Sequence, residues 1–397
     1  MSEWKEFKVT NAPFEIIDGD RGTNYPKQDE FYQSGYCLFL NAKNVTTDGF
    51  TFNECYFITK EKDQILRKGK LQRDDIVLTT RGTVGNVGFY DARIPYENIR
   101  INSGMVIIRP DPDCISPEYN HQLFKYLKSD FDVFATGSAQ PQLPIRDLKE
   151  ISFFLPPLPE QRAIAGVLSS LDDKIDLLHR QNKTLESMAE ALWRKMFVEE
   201  ADPNWRKGKL GDYGEFKNGI NYSRNENGDT EYSILNVRDI VESKYANVSN
   251  FEKVSINSRK ATPYLLEKGD IVIVRSASPG ESLIVLEEID NLIYSGFSIR
   301  LRCYDKRHSL FLFQFLQSFK KEMDAFSDGT TLRNINQGIL NSIELLSPPE
   351  DTVKEFNDRV GIIYNKILLN QGQTRTLSRL RDTLLPKLMS GEVRVKL

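Results

Sequence analysis

The chain has 397 residues, 53 Lys+Arg against 56 Asp+Glu, a formal net charge of −3 and 40% hydrophobic residues, which excludes a wholly disordered, collagenous or coiled-coil-only protein and suits two or three domains. No apolar run of about 18 residues could span a bilayer, and the opening MSEWKEFKVT carries no apolar signal core, so a cytoplasmic protein is expected. Cys37, Cys55, Cys114 and Cys303 are scattered without a CxxC pair, which argues against a disulfide framework or a zinc ribbon.

Residues 1–156 read as a mixed globular domain. Short apolar strands such as Ile76–Thr80 and Met105–Arg109 lie between Gly- and Asn-rich turns, and a helix near Pro117–Phe134 buries Leu123, Phe124, Leu127 and Phe131. Gly82 to Gly88 spells GxxGxxG, not GxGxxG, and predicts a tight strand–turn–strand. Pro156-Pro157-Leu158-Pro159 is expected to be non-helical. After it, residues 157–199 carry a 4-3-4-3 heptad seam: Ile164, Leu168, Leu171, Ile175, Leu178, Asn182, Leu185, Ala189, Leu192 and Met196.

The chain then repeats itself. Phe39-Leu40-Asn41-Ala42-Lys43-Asn44 returns as Ile234-Leu235-Asn236-Val237-Arg238-Asp239, Asp75-Ile76-Val77 as Asp270-Ile271-Val272, and Ile101-Asn102-Ser103-Gly104-Met105 as Ile293-Tyr294-Ser295-Gly296-Phe297. Residues 200–348 thus form a second copy of the domain. Residues 349–397 form a second heptad helix, with Phe356, Val360, Ile363, Ile367, Asn370, Thr374, Leu377, Arg381, Leu384 and Leu388 in its seam. Neither stripe can be buried alone. The fold class is therefore α+β: two tandem mixed α/β domains and two long helices forming an antiparallel coiled coil with a pseudo-two-fold repeat. Asn182 and Asn370 fall mid-seam, where a buried polar residue fixes register.

Catalytic signatures are missing. There is no GxxxxGK[ST] and no Asn-Pro-Pro-aromatic tetrad, and His121, His179 and His308 lack metal-ligand spacing. The pair Asp172-Asp173 reads as a solvated helix face. No catalytic or metal-binding residue is expected in this chain.

Gly137-Ser138-Ala139-Gln140-Pro141-Gln142-Leu143, then Leu155-Pro156-Pro157-Leu158-Pro159-Glu160-Gln161-Arg162, then the heptad helix, resemble the central conserved region of type I restriction–modification specificity subunits. Arg81-Gly82-Thr83-Val84-Gly85 resembles part of their target recognition domains, and size, duplication and domain order match along the whole chain. The second copy departs at Ser347-Pro348-Pro349-Glu350-Asp351 and at Thr331-Leu332-Arg333. The resemblance implies a non-catalytic subunit whose two domains each read one half of a split, asymmetric double-stranded DNA site. The helices would set the spacer and dock two adenine methyltransferase subunits. S-adenosylmethionine, and ATP and Mg in motor-nuclease subunits, would be used by the partners.

Polar loop residues at equivalent places in both copies are the candidate DNA readers: Lys43, Asn44, Thr80, Arg81 and Thr83 in the first, Arg238, Asp239, Arg275, Ser276 and Ser278 in the second. Arg and Lys can bridge guanine O6/N7 and Asn can bridge adenine, while the same residue types also serve as phosphate contacts or solvated loop residues. Gln140, Gln142, Leu143, Glu160, Gln161 and Arg162 are assigned to the methyltransferase interface on the resemblance. A specificity subunit of a related methylation system and a two-ended protein scaffold stay open as alternatives.

Overall fold

The computed structural model describes residues 4–47, 49–137, 141–223, 227–246, 251–326 and 334–396, the side chains of 324–326 excepted. They divide into two compact units, residues 1–175 with 377–397, and residues 176–376.

The first unit opens with β1 (Lys5–Lys8), β2 (Phe14–Asp18), β3 (Cys37–Leu40), β4 (Val45–Thr46), β5 (Gly49–Phe50), β6 (Phe57–Ile58), α1 (Lys60–Ile65), β7 (Ile76–Thr79), β8 (Val87–Phe89), β9 (Ile99–Ile101) and β10 (Met105–Pro110). An antiparallel sheet runs β2-β10-β7-β8, and a second runs β6-β3-β9 with β3 and β9 parallel. The strands β7 and β10 are continuous Val/Ile/Leu runs because both their faces are covered. Ile76, Leu78, Val106 and Ile108 face a core shared with Tyr119, Phe124 and Phe131, whereas Val77, Met105 and Ile107 face the core of the second sheet.

Next come α2 (Pro117–Tyr126), α3 (Lys128–Phe134), α4 (Ile145–Leu148), β11 (Ser152–Leu155), which pairs with β1, and α5 (Leu158–Arg194). The single helix expected over Pro117–Phe134 is two helices, bent at Leu127, whose ψ is 1°, with Leu127 and Phe131 both buried. The expectation that Leu158-Pro159 is non-helical also fails, since α5 starts at Leu158. Pro159 is tolerated there because a first-turn N–H has no intrahelical acceptor anyway. At its other end α5 runs into a five-residue π-helical stretch, Lys195–Glu199.

The second unit repeats the topology with β12 (Arg206–Lys209), β13 (Gly214–Asn218), β14 (Thr230–Leu235), α6 (Val237–Glu242), β15 (Glu252–Ile256), α7 (Ser258–Ala261), β16 (Ile271–Val274), β17 (Ser282–Ile284), β18 (Leu292–Tyr294), β19 (Ser298–Cys303), α8 (Ser309–Phe326), α9 (Gln337–Ser342), β20 (Glu344–Ser347) and α10 (Glu350–Met389). Its sheets run β13-β19-β16-β17 and β15-β14-β18, with β14 and β18 parallel and β12 paired to β20. Even the backbone exceptions recur. Asp74 at φ 73° and Gly269 at φ 94° precede Asp75 and Asp270. Each of those carboxylates accepts a loop N–H, from Gln72 or Glu267, and pairs with an arginine, Arg109 or Arg302.

One segment of the repeat is out of register with the sequence reading. Leu40 pairs with Ile101 while its counterpart Leu235 pairs with Tyr294. The N–H of Asn102 meets Leu40 O just as that of Ser295 meets Leu235 O. Ile101 thus corresponds to Tyr294, and Gly104 to Phe297. The matching Ser-Gly letters suggested the wrong alignment; the strand hydrogen bonds set the right one.

Within each unit the long helices pair antiparallel. In the first, Ile164 and Leu168 share a core with Leu384 and Leu388, and Asp172 meets Arg381 at 3.1 Å. In the second, Ala189 and Trp193 share a core with Val353, Phe356, Val360 and Ile367. The seam residues Ile164, Leu168, Leu178, Val360, Ile367 and Asn370 are fully buried. Leu171, Ile175, Asn182, Leu185, Leu192, Ile363, Leu377 and Leu384 are half-buried. Tyr364, outside the seam, is buried as well and receives a 2.5 Å hydrogen bond from Gln314 of α8.

Asn370 donates to Asn182 Oδ1 at 2.8 Å. Asn370 also donates to Gln181 Oε1 at 3.4 Å, so Asn182→Leu alone leaves a fully buried amide with only that long contact and should cost about 1–3 kcal/mol. The double replacement Asn182→Leu/Asn370→Leu removes both polar groups and should equal or exceed the native stability. Urea midpoints of the two variants check this; a stabilised single variant would show that the Asn–Asn bond contributes nothing.

Candidate nucleic-acid interface

In the first unit three chain segments meet where β7 ends. Thr80 N–H and Oγ1 both donate to Gly104 O, at 2.8 and 3.0 Å. Gly82 N–H donates to Pro141 O at 3.0 Å, and Leu143 N–H to Thr80 O at 2.9 Å. Gln142 is locked to Thr136 by a pair of 2.8 Å backbone bonds. Gly82 and Gly85, at φ 77° and 85°, supply the left-handed corners the turn needs. The Thr79 hydroxyl closes the turn by donating to Thr83 O.

The second unit builds the same cluster. Arg275 N–H donates to Phe297 O at 3.0 Å, Ile335 N–H to Arg275 O at 2.8 Å, and Gly280 N–H to Val274 O at 3.0 Å. Ala277 adopts φ 69° where the first copy has Gly82. A left-handed alanine costs about 1–2 kcal/mol, so the loop conformation is enforced by its surroundings.

The structure removes several residues from the list of DNA readers. Asn44 is 1% exposed, and its side chain donates to Thr51 O and Glu54 O and accepts the Asn41 N–H. Thr80 is buried on Gly104 O. Asp239 is 8% exposed and accepts the Asn236 N–H at 2.8 Å. All three fold their own loops. Lys43 remains exposed beside Glu54, and Arg238 exposed beside Asp239. Thr83 is exposed; Arg81, Ser276 and Ser278 are half-exposed. The Arg275 guanidinium turns back to Gly296 O at 3.3 Å.

The residues assigned to a partner interface fare similarly. Leu143 is a core residue at 1% exposure. Gln161 is buried, accepting the Ser116 N–H and donating to Cys114 O and Pro156 O at 2.9–3.1 Å. Glu160 is buried between Trp4 Nε1 at 3.2 Å and the Arg394 guanidinium, which binds it through two nitrogens. Gln140 lies outside the described residues. Gln142 sits in the same loop cluster as Arg81, through a backbone bridge, instead of forming a separate site. Arg162 alone of the helix-start trio is exposed.

Elsewhere the structure adds to the sequence reading or corrects it. Arg21 donates to Ser103 O at 3.3 Å, beside the Gly104 turn, and with Arg67 and Lys68 lines a cleft of about 410 Å³. Asp20 holds that cleft's wall, its carboxylate kept below its ordinary range chiefly by the N–H of Gly22. Phe297 is 66% exposed. Asp172 is no solvated acid. Burial pushes its carboxyl up, but Lys125, Gln122 and Arg381 outweigh burial and hold it below the usual value. His121 stacks on Phe89 with centroids 5.2 Å apart, and burial takes its imidazole down to about 3. Among the described residues no group of His, Cys, Asp and Glu is placed to hold a metal ion, and no helix is long and apolar enough to cross a membrane.

Known proteins share this arrangement. The family model of the type I restriction modification DNA specificity domain matches residues 1–187 and again 203–379. The MjaIX type I restriction enzyme specificity subunit of Methanocaldococcus jannaschii is 28% identical over 353 residues, covering 81% of this chain and 78% of that protein. The HindI specificity subunit of Haemophilus influenzae is 21% identical, covering 99% and 100%. The solved type I restriction-modification S subunit from M. genitalium superposes with a TM-score of 0.57 at 17% identity, covering 98% and 96%, and so shares the fold. With the specificity domain matched once in each half, the chain belongs to the type I restriction modification DNA specificity family.

Proposed function

We propose that this chain is the DNA sequence-specificity subunit of a type I restriction–modification complex, catalysing nothing itself. Each unit reads one half of a bipartite, asymmetric DNA target. One observation carries the reading: the same loop cluster is built twice on the same topology but presents different side chains. Thr80, Arg81, Gly104 and Gln142 stand in one copy where Arg275, Ser276, Phe297 and Asn334 stand in the other. A duplicated scaffold with unlike tips suits a target of two unlike halves. Half-sites on one face of a duplex lie about 34 Å apart or a multiple of that, and continuous paired helices hold such a gap better than a loop would.

The outward faces of the helices support docking of two adenine methyltransferase subunits, which use S-adenosylmethionine; ATP and Mg serve the motor-nuclease subunits. Leu177 and Leu369 are 38% and 65% exposed, Met188 and Leu380 52% and 45%, and each pair occupies equivalent repeat positions. Exposed apolar side chains recurring on two helices fit two copies of one partner.

Co-expression with the methyltransferase of its own system in a methylation-free host, followed by mapping of methylated adenines, should give a split motif with a fixed gap. Replacing residues 1–155 by another family member's equivalent domain should change one half only. Inserting one helical turn into α5 and one into α10 should lengthen the gap. A motif that changes in both halves, or a gap that stays put, refutes the modular reader.

A further inference from the structure

We infer that Phe297 is a specificity-determining residue of the second unit, contacting the 5-methyl group of a thymine in the half-site that unit reads. The inference rests on the DNA-reading function proposed above. Three observations place the residue. Its ring is 66% exposed although phenylalanine is normally withdrawn from water. Its backbone is fixed: Ser298 N–H closes a turn onto Ser295 O at 3.0 Å, and Phe297 O accepts the Arg275 N–H at 3.0 Å. An apolar ring is therefore presented on a preorganised turn, with little ordering left to do on binding. The loop tied to it through the Arg275 N–H carries the short hydroxyl side chains of Ser276 and Ser278 after that arginine.

The other copy explains why this is a reading device and not a stray surface residue. Hydrogen bonding equates Phe297 with Gly104, whose carbonyl takes the Thr80 N–H as Phe297 O takes that of Arg275. Where glycine stands, the neighbouring Arg81 guanidinium has no partner among the described residues and can donate to a base. Where phenylalanine stands, the arginine one position earlier, Arg275, is tied back to Gly296 O. The cluster thus offers a polar group in the first unit, from Arg81 beside Gly104, and an apolar one in the second, from Phe297 beside Ser276. On base edges in the major groove the thymine methyl is the apolar group available to such a ring.

The test uses the assembled complex with its methyltransferase subunits and duplexes in which each thymine of the second half-site is replaced in turn by uracil, which lacks only the methyl. For the native complex, one replacement should weaken binding about fourfold, the value of one buried methyl. For Phe297→Ala the thymine duplex should bind more weakly and that replacement should have no further effect, while replacements in the first half-site act alike on both complexes. The inference is overturned if no uracil position matters, if the variant stays equally sensitive, or if Phe297→Ala impairs methyltransferase co-purification instead of DNA binding. A native complex that binds no duplex at all would refute the DNA-reading function itself, a distinct outcome.

Discussion

Replacing Arg100 by methionine should destabilise the first unit by about 3–5 kcal/mol, because it breaks a buried ion pair and uncaps a turn in one step. Arg100 and Asp63 have side chains 6% and 4% exposed and meet at 2.6 Å. The same guanidinium donates to Lys68 O, Asp63 O and Leu66 O at 2.6–3.0 Å, closing the carbonyl ends of α1. Lys70, at 2.6 Å from the other carboxylate oxygen, cannot reach those three carbonyls in its place and keeps only part of the charge compensation. Burial raises the Asp63 carboxyl, yet Lys70 and Arg100 bring it below its ordinary value. Its contribution is therefore present above the unfolded carboxylate range, near pH 4, and is lost as pH falls through the folded value. Hydrogen exchange of amides 60–71 in the full chain should accelerate strongly in the variant at neutral pH. Unchanged protection there would mean that α1 is held by its apolar contacts alone.

The architecture was largely readable from the sequence because its signals are long. A heptad seam repeats the same spacing many times, and a domain copied whole announces itself in several blocks at once. Which loop residues stay exposed was not readable, because a polar loop residue looks the same in sequence whether it faces solvent or folds the loop. Asn44 and Asp239 illustrate this. Each closes a capping box with the asparagine three residues earlier, Asn41 and Asn236. That spacing stood in the sequence in both copies and is the cue that separates them from their neighbours Lys43 and Arg238, which point outward. Thr80 carried no such cue; its acceptor, Gly104 O, is 24 residues away and is placed by the sheet. Phe297 was hidden by the one-residue misalignment that matched it with buried Met105 instead of Gly104. Asp172 was misread for a related reason: its partners Gln122, Lys125 and Arg381 are distant in sequence, so a helix wheel shows an isolated acid.

Gln161→Leu should cost the first unit about 3 kcal/mol while leaving its docking surfaces untouched, the reverse of what a partner contact would do. The Gln161 amide satisfies three backbone groups at 1% exposure: the Ser116 N–H at the start of α2, and the Cys114 and Pro156 carbonyls. Each buried group left unpaired costs about 1–3 kcal/mol, moderated where water can enter. Next to it, Glu160 draws Trp4 and Arg394, from opposite ends of the chain, onto the first turn of α5. The Pro-Pro-Leu-Pro-Glu-Gln run is thus a joint that ties α5 to the domain before it and to both chain termini. Its second-copy counterpart, Ser347-Pro348-Pro349-Glu350-Asp351, keeps the prolines and loses the glutamine, since Val353 stands in its place and is packed in the apolar core. Trp4 is the only tryptophan of the first unit, and fluorotryptophan labelling gives it an NMR resonance separate from those of Trp193 and Trp205, so that resonance during urea unfolding reports on this joint. The expected result is a lower midpoint for the Trp4 signal with undiminished methyltransferase co-purification. A normal midpoint with lost co-purification would return Gln161 to the partner interface.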